Sequence, residues 1–331
     1  MSKSRYQPPF TLTSEIVSLV ADIAERVGRL STDPGFQRDL RLRRINCIRT
    51  ITGSLAIEGN TLTEAQITAI LDGKTVLAPP RELQEARNAL AAYDRLPEWN
   101  GLRENDLLAA HRVMMLGLLD HPGNYRDGGV GVMTGDAVIH MAPPARQVPR
   151  LMAELFGWLS ETKEHPLIAS SVFHYEFEFI HPFSDGNGRM GRLWQSLLLS
   201  HWNPAFAWLP VESLVHQHQA GYYKALQEST RATNSAPFIL FMLGCIRDTV
   251  VKATKTPLKT PLKTPLKTAD AILGLLRKQP DMSFPQIAAK LGKSESAIKR
   301  AVRGLRETGR LQRIGPDKGG YWEVIEKAGT S

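Results

Sequence analysis

Residues 181–192 read His181-Pro182-Phe183-Ser184-Asp185-Gly186-Asn187-Gly188-Arg189-Met190-Gly191-Arg192, a run that packing alone does not explain. An apolar helical stretch ends before it at Ile180, and Pro182 discourages continuation. Gly186 and Gly188 flank Asn187; these residue types tolerate positive φ and let successive amides converge on an anion. A helical pattern resumes at about Arg189, so the loop feeds a helix N-terminus, where open amides and the dipole favour phosphate. Arg189 and Arg192 lie three apart on one helix face, and a guanidinium forks onto phosphate oxygens. Asp185 is a hard carboxylate beside this cradle, suited to Mg²⁺ completed by phosphates and water. His181 supplies the side-chain type that exchanges protons near neutrality, suited to deprotonating an attacking hydroxyl. A plain glycine-rich turn with arginines paired to surface acids leaves the clustering of these types unexplained.

Outward from this loop the chain punctuates as helix. Pro166 fits a first helical position, and Leu167, Val172, Phe173, Phe177 and Ile180 make a core-facing stripe. Leu193, Leu197 and Leu198 repeat the pattern downstream, and Thr63 with Gln66 forms a capping box ahead of Ile67, Ile70 and Leu71. One stretch differs. Gly128, Gly129, Gly131 and Gly135 accompany β-prone pieces at Val130–Met133 and Ala137–Met141, which predicts a hairpin turning near Thr134–Asp136. An isolated hairpin is marginally stable, so it reads as a flap on a helical body.

The run from His181 resembles the Fic family signature, HPF-x-(D/E)-GNGR-xx-R, at every fixed position. The resemblance extends from roughly Leu42 to Cys245. It implies an all-α catalytic core that transfers AMP from ATP to a protein hydroxyl and releases pyrophosphate, with ATP and Mg²⁺ as cofactors. His181 would be the general base and Asp185 the metal ligand, with Phe183 a buried anchor. Gly186, Asn187, Gly188, Arg189 and Arg192 would hold phosphates, with Met190 and Gly191 completing the nucleotide-binding run. Tyr222 and Tyr223 resemble the family's region near the base, although an aromatic pair is equally ordinary core. The hairpin (Val130, Gly131, Val132, Met133, Thr134, His140) would align the target segment by main-chain pairing.

Upstream, Ser54-Leu55-Ala56-Ile57-Glu58-Gly59 matches the family's inhibitory pattern, (S/T)-xxx-E-(G/N). Read physically, Leu42, Ile45, Cys47, Ile48, Ile51 and Leu55 describe an apolar helix, and Gly59 suits a left-handed cap. A carboxylate at a helix C-terminus opposes the dipole and calls for a cation. The resemblance names that cation as Arg192, so Glu58 and the γ-phosphate would compete for one guanidinium. The brake would then lie within the chain, and some relatives of this kind also remove AMP.

The C-terminal quarter has another character. Residues 251–331 hold 17 Lys/Arg against 7 Asp/Glu, while residues 1–250 hold 24 against 26, so the whole basic excess sits at one end. From Lys255 the chain repeats KTPL, and a proline every fourth residue forbids continuous helix and predicts an extended spacer. Beyond it, helices at Ala269–Lys278, Phe284–Leu291 and Ser294–Thr308 precede β-prone pieces at Leu311–Ile314 and Tyr321–Ile325, a pattern that resembles a winged helix-turn-helix. Ile298, Val302 and Leu305 form the inward stripe of the third helix, beside Lys299, Arg303, Arg306 and Arg310. That cationic face is the candidate DNA contact, with Arg313 and Lys318 near the backbone. Protein contact or plain solvation is its alternative.

The expected organisation is an N-terminal helical region (1–95) carrying the inhibitory helix (about 41–59), a catalytic core (96–250), a linker (251–268) and a winged domain (269–331). Apolar residues at 42 % and charged residues at 22 % exclude wholesale disorder. Cys47 and Cys245 are too few for a disulfide framework or a thiolate metal site. The longest uncharged apolar run, Ala236 to Ile246, is 11 residues, and a membrane span needs about 20. Met1 to Phe10 lacks a signal-peptide centre. The expectation is a reduced, soluble, cytoplasmic adenylyltransferase whose candidate partners are ATP, a target protein with a Ser, Thr or Tyr acceptor (itself included), DNA, and a second copy in a homodimer. Alternatives are a DNA-binding regulator using the body as a nucleotide sensor, transfer of UMP or phosphocholine, or AMP removal.

Overall fold

The computed structural model describes residues 6–32, 40–134, 137–255, 268–307, 310–315 and 320–325. Among them lie two compact units, 1–256 and 257–331. The first is helical apart from one hairpin: α1 Ser14–Ser31, α2 Leu40–Ile57, α3 Glu64–Leu71, α4 Pro80–Asp94, α5 Glu104–Met114, β1 Gly131–Thr134, β2 Ala137–Met141, α6 Val148–Glu161, α7 Pro166–Ile180, α8 Asn187–Trp202, α9 Val211–Gln217, α10 Gln219–Ala232 and α11 Ala236–Lys255.

Sequence signals fix the helix ends. The Thr63/Gln66 capping box forms and starts α3, while Pro166 takes the first position of α7. The core is built around α7, where every residue from Leu167 to Glu178 is buried. Helices α6, α8 and α11 pack against it. Each fully buried phenylalanine there (Phe173, Phe177) contributes about 2–3 kcal/mol of apolar burial. Helix α2 packs on α4, α8 and α9, and it buries polar Asn46, Thr50 and Ser54 along with Ile48, Ile51 and Leu55. It is therefore enclosed on more than the single apolar face its sequence predicts. Helix α8 opens at Asn187, two residues before the expected resumption.

In the hairpin, β1 and β2 run antiparallel, with Gly131 opposite Met141 and Thr134 opposite Ala137, and the register shifts between Val132 and Met133. Residues 135–136 at the expected turn lie outside the described residues. Helix α11 continues through Lys255, taking the first five residues of the stretch expected as linker. The remaining KTPL residues fall outside the described residues, except Thr268, which begins the next helix.

The second unit comprises α12 Thr268–Lys278, α13 Phe284–Leu291, α14 Glu295–Glu307, β3 Leu311–Ile314 and β4 Tyr321–Val324. The strands pair antiparallel, with Leu311 opposite Val324. Ile298, Val302 and Leu305 point inward with Ile272, Leu276, Ile287 and Trp322, while Lys299, Arg303 and Arg306 are exposed on α14. This is the expected three-helix and wing arrangement.

The N-terminal segment is clipped to the body by several contacts, one of which reaches a buried carboxyl. Tyr6 Oη donates to Glu176 Oε2 at 2.7 Å. Burial pushes the Glu176 carboxyl up to about 7, more than the tyrosine hydrogen bond lowers it. The group is thus neutral and comfortable at low pH, and its ionisation weakens the fold as pH rises through about 7. Glu176→Gln should remove about 2 kcal/mol of destabilisation between pH 5 and pH 8. Denaturant unfolding at both pH values checks this, and parallel stability curves for the two proteins would reject it.

Candidate active site

Residues 181–186 form a turn between α7 and α8, and their backbone departs from helix at both ends. His181 has φ 50° and Gly186 has φ 86°. The first amide hydrogen bond of α8 is Met190 N to Gly186 O at 3.0 Å, so the amides of residues 187–189 are the open donors of the helix N-terminus. The side chain of Asn187 is a staple. Its Oδ1 accepts from Phe183 N at 2.9 Å and its Nδ2 donates to Phe183 O at 2.8 Å.

Two residues that the motif reading missed support this turn. Arg126, 6 % exposed, donates to His181 O at 2.7 Å, Gly128 O at 2.7 Å, Pro143 O at 2.5 Å and Ile180 O at 3.3 Å. It ties the turn to the segments on either side of the hairpin. His111 stacks flat on Phe183, with ring centroids 3.6 Å apart. Its Nδ1 accepts from Gly123 N at 2.8 Å, so its Nε2 carries the proton donated to Asp185 O at 3.0 Å. Burial holds this imidazole down at about 4, so it stays neutral. Neither residue carries a local motif.

The charged groups converge as expected. Arg192, 2 % exposed, gives Nη2 to Glu58 Oε1 at 2.6 Å and to Ser54 O at 3.1 Å, and Nε to Ser54 Oγ at 3.2 Å. Burial opposes its charge, but Glu58, Tyr222 and Glu178 outweigh that and hold its pKa above the ordinary guanidinium value. Gly59 caps α2 with φ 88°. Gly188 is needed for the pairing, because a Cβ there would collide with Glu58 Oε1 and lie 3.0 Å from Arg192 Nη1. Arg189 is also buried, and its Nε and Nη1 have no hydrogen-bond partner. Its Nη2 reaches Asp185 Oδ1 at 3.1 Å.

Asp185 also accepts from Gly186 N at 2.6 Å and from Arg81 at 3.2 Å. No group of three or more His, Cys, Asp or Glu side chains is arranged for a metal among the described residues. A single hard carboxylate fits a cation that takes its other ligands from phosphates.

Three of the expected nucleotide residues are buried. Met190 is fully buried in the core. The missing side chain of Gly191 faces His174 and Glu178. Tyr222 is 2 % exposed, with its hydroxyl at His174 Nε2 (3.2 Å) and Glu178 Oε1 (3.4 Å). Tyr223 is half-buried. Strand β2 of the hairpin lies beside α10.

Residues 101–199 match the family model described as Fic/DOC family, and residues 267–312 match one described as winged helix-turn-helix DNA-binding. A crystal structure of a Fic family protein from Desulfovibrio desulfuricans G20 is 44 % identical and superposes with a TM-score of 0.77, over 98 % of this chain and all of that one. Fic-1 from C. elegans, residues 134–508, shares the fold at 22 % identity with a TM-score of 0.60, over 73 % of each chain. The protein adenylyltransferase Fic of Culex quinquefasciatus is 31 % identical over 216 residues, which are 61 % of this chain and 41 % of that protein. The Nematostella vectensis protein of the same name is 30 % identical over 211 residues, 46 % of its length. The chain thus spans less than half of these curated relatives.

Removing Arg126 would strip a donor from four carbonyls at once. Arg126→Ala should cost about 3 kcal/mol in urea unfolding, with Arg126→Lys recovering only part, because an ammonium does not span all four. A loss under about 1 kcal/mol would mean that the turn holds its shape without the clamp.

Proposed function

The chain belongs to the Fic family, and on that premise we propose that it is a self-restrained adenylyltransferase, moving AMP from ATP to a hydroxyl of a protein. The observation that carries this reading is the 2.6 Å pair between Arg192 and Glu58 beside an open helix N-terminus. Two arginines, one with buried N–H groups lacking acceptors, and three free amides form a cradle for a polyphosphate.

In the proposed reaction the target hydroxyl attacks the α-phosphorus in line. The new O–P bond forms as the bond to the bridging α–β oxygen breaks, and pyrophosphate leaves with that electron pair. His181 takes the hydroxyl proton on Nε2, because its Nδ1 is buried. Arg189 and the amides of residues 187–189 hold the phosphates, and Gly188 lets the chain approach them closely. Asp185 would hold Mg²⁺ with the phosphates, and the bound ion would neutralise phosphate charge. The hairpin offers the target a strand edge. While Glu58 occupies Arg192, that guanidinium is withheld from the γ-phosphate, and the α-phosphate sits out of line. A displacement of about 1 Å can cost about a hundredfold in rate.

With α-labelled ATP, Glu58→Gly should raise self-labelling at least about tenfold, and His181→Ala in that background should abolish it. Equal labelling of wild type and Glu58→Gly would reject the brake. Survival of labelling in His181→Ala would reject the base.

For the second unit, the exposed Lys299, Arg303 and Arg306 on α14 favour duplex DNA as partner. Affinity for a random-sequence duplex should fall steeply with salt, and Arg303→Ala should lower the log–log slope by about one. Binding indifferent to salt would remove the electrostatic basis of this assignment.

A further inference from the structure

Behind His181 lies a buried polar group that the reaction above does not use. Glu178 is one turn before the histidine on α7, with its side chain 8 % exposed. Its Oε2 faces His181 Nδ1 at 4.0 Å, and that nitrogen is buried without a hydrogen-bond partner. Its Oε1 is approached by Tyr222 Oη at 3.4 Å and His174 Nε2 at 3.7 Å.

The tautomer of His174 decides where Glu178 finds its proton donor. Gln195 Nε2 donates to Ser171 Oγ at 3.2 Å, which turns its carbonyl oxygen toward His174 Nδ1 at 2.7 Å. His174 therefore carries its proton on Nδ1, and its Nε2 accepts from Tyr222 Oη at 3.2 Å. A neutral His174 has no ring proton left for Glu178. The remaining ring donor at the carboxylate is His181 Nδ1. A carboxylate acceptor therefore waits behind the base, its Oε2 facing the unpartnered Nδ1.

We propose that Glu178 is the positioning residue of His181: it accepts the Nδ1 proton, leaves Nε2 free for the target hydroxyl, and stabilises the imidazolium that forms. The inference rests on the adenylyl-transfer reading. Closing the pair from 4.0 Å to hydrogen-bond length takes a ring shift of about 1 Å. The backbone around the ring is held meanwhile, because Arg126 grips His181 O at 2.7 Å and Phe177 O accepts from His181 N at 2.9 Å. A carboxylate that orients an imidazole in this way acts through the histidine and never touches substrate.

The test uses the full chain in the Glu58→Gly background, with Glu178→Gln, which keeps an acceptor but no charge, and Glu178→Leu, which keeps neither. The kcat should fall roughly tenfold and hundredfold respectively, with KM for ATP unchanged within about twofold. Nitrogen-15 NMR of the unaltered protein should report His181 protonated on Nδ1, and Glu178→Leu should lose that preference. If His181→Ala labels as well as its parent, the transfer reading fails. If His181→Ala is dead while Glu178→Leu keeps kcat within about threefold of its parent, only the positioning role fails. A His181 protonated on Nε2 in the unaltered protein overturns it whatever the variants do.

Discussion

A guanidinium buried to 2 % exposure must have an anion, and Arg192 finds Glu58 at 2.6 Å. Removing the partner of a fully buried pair costs on the order of 3–5 kcal/mol; here Glu58 keeps 30 % exposure, which brings the cost below that range. The constraint shapes both ends of the contact. Helix α2 must reach the turn with the residue just past its C-terminus, and α8 must carry glycine at 188 to let the carboxylate past. On the proposed reading the same arithmetic makes a phosphate the exchange partner. Arg192 trades one anion for another without passing through a bare state, so the restraint is reversible.

The turn bearing His181 is held from below and behind by groups that do no chemistry. Asn187 closes two bonds to the backbone of Phe183, His111 stacks on its ring, and Arg126 collects four carbonyls. A residue at φ 50° without glycine's freedom costs on the order of 1 kcal/mol or more, and this scaffold offsets it. The result is a fixed loop from which amides and a ring nitrogen project at set positions. On the proposed reading, rigidity there matters because in-line displacement tolerates little error.

How much of this was legible depended on the range of the interaction. Local signals were read well. The capping box at Thr63, the proline opening α7, the hairpin glycines and the inward stripe of α14 each specify geometry within a few residues, and the helices and strands follow them. The Glu58–Arg192 pair, 134 positions apart, was legible only because a long motif at each end resembles a known family. Arg126 and His111 were not, since their partners are backbone atoms far along the chain and backbone has no sequence signature. Met190 and Gly191 were grouped with the nucleotide by adjacency to the motif, but a helix turns about 100° per residue, and these two positions turn into the core.

The end of α2 is fastened by more than its glutamate. Gln219, the first residue of α10, donates to Ile57 O at 2.9 Å, and Asn60 donates to Glu85 Oε2 at 2.9 Å and Glu82 O at 3.2 Å. Glu85 also lies 3.5 Å from Arg189, so one carboxylate touches both the helix that ends in Glu58 and the arginine with unfilled donors. A phosphate drawing on Arg189 would weaken its hold on Glu85, and Glu85 would then bind Asn60 or Arg81 alone. The two arginines of the cradle are thus coupled to the end of α2 by different routes. Arg192 is coupled directly through Glu58, and Arg189 through Glu85 and Asn60. On the proposed reading, occupancy of the cradle and the position of that helix end belong to one electrostatic balance, because Arg192 has its counter-charge at the end of α2 and Arg189 divides its own between Asp185 and Glu85.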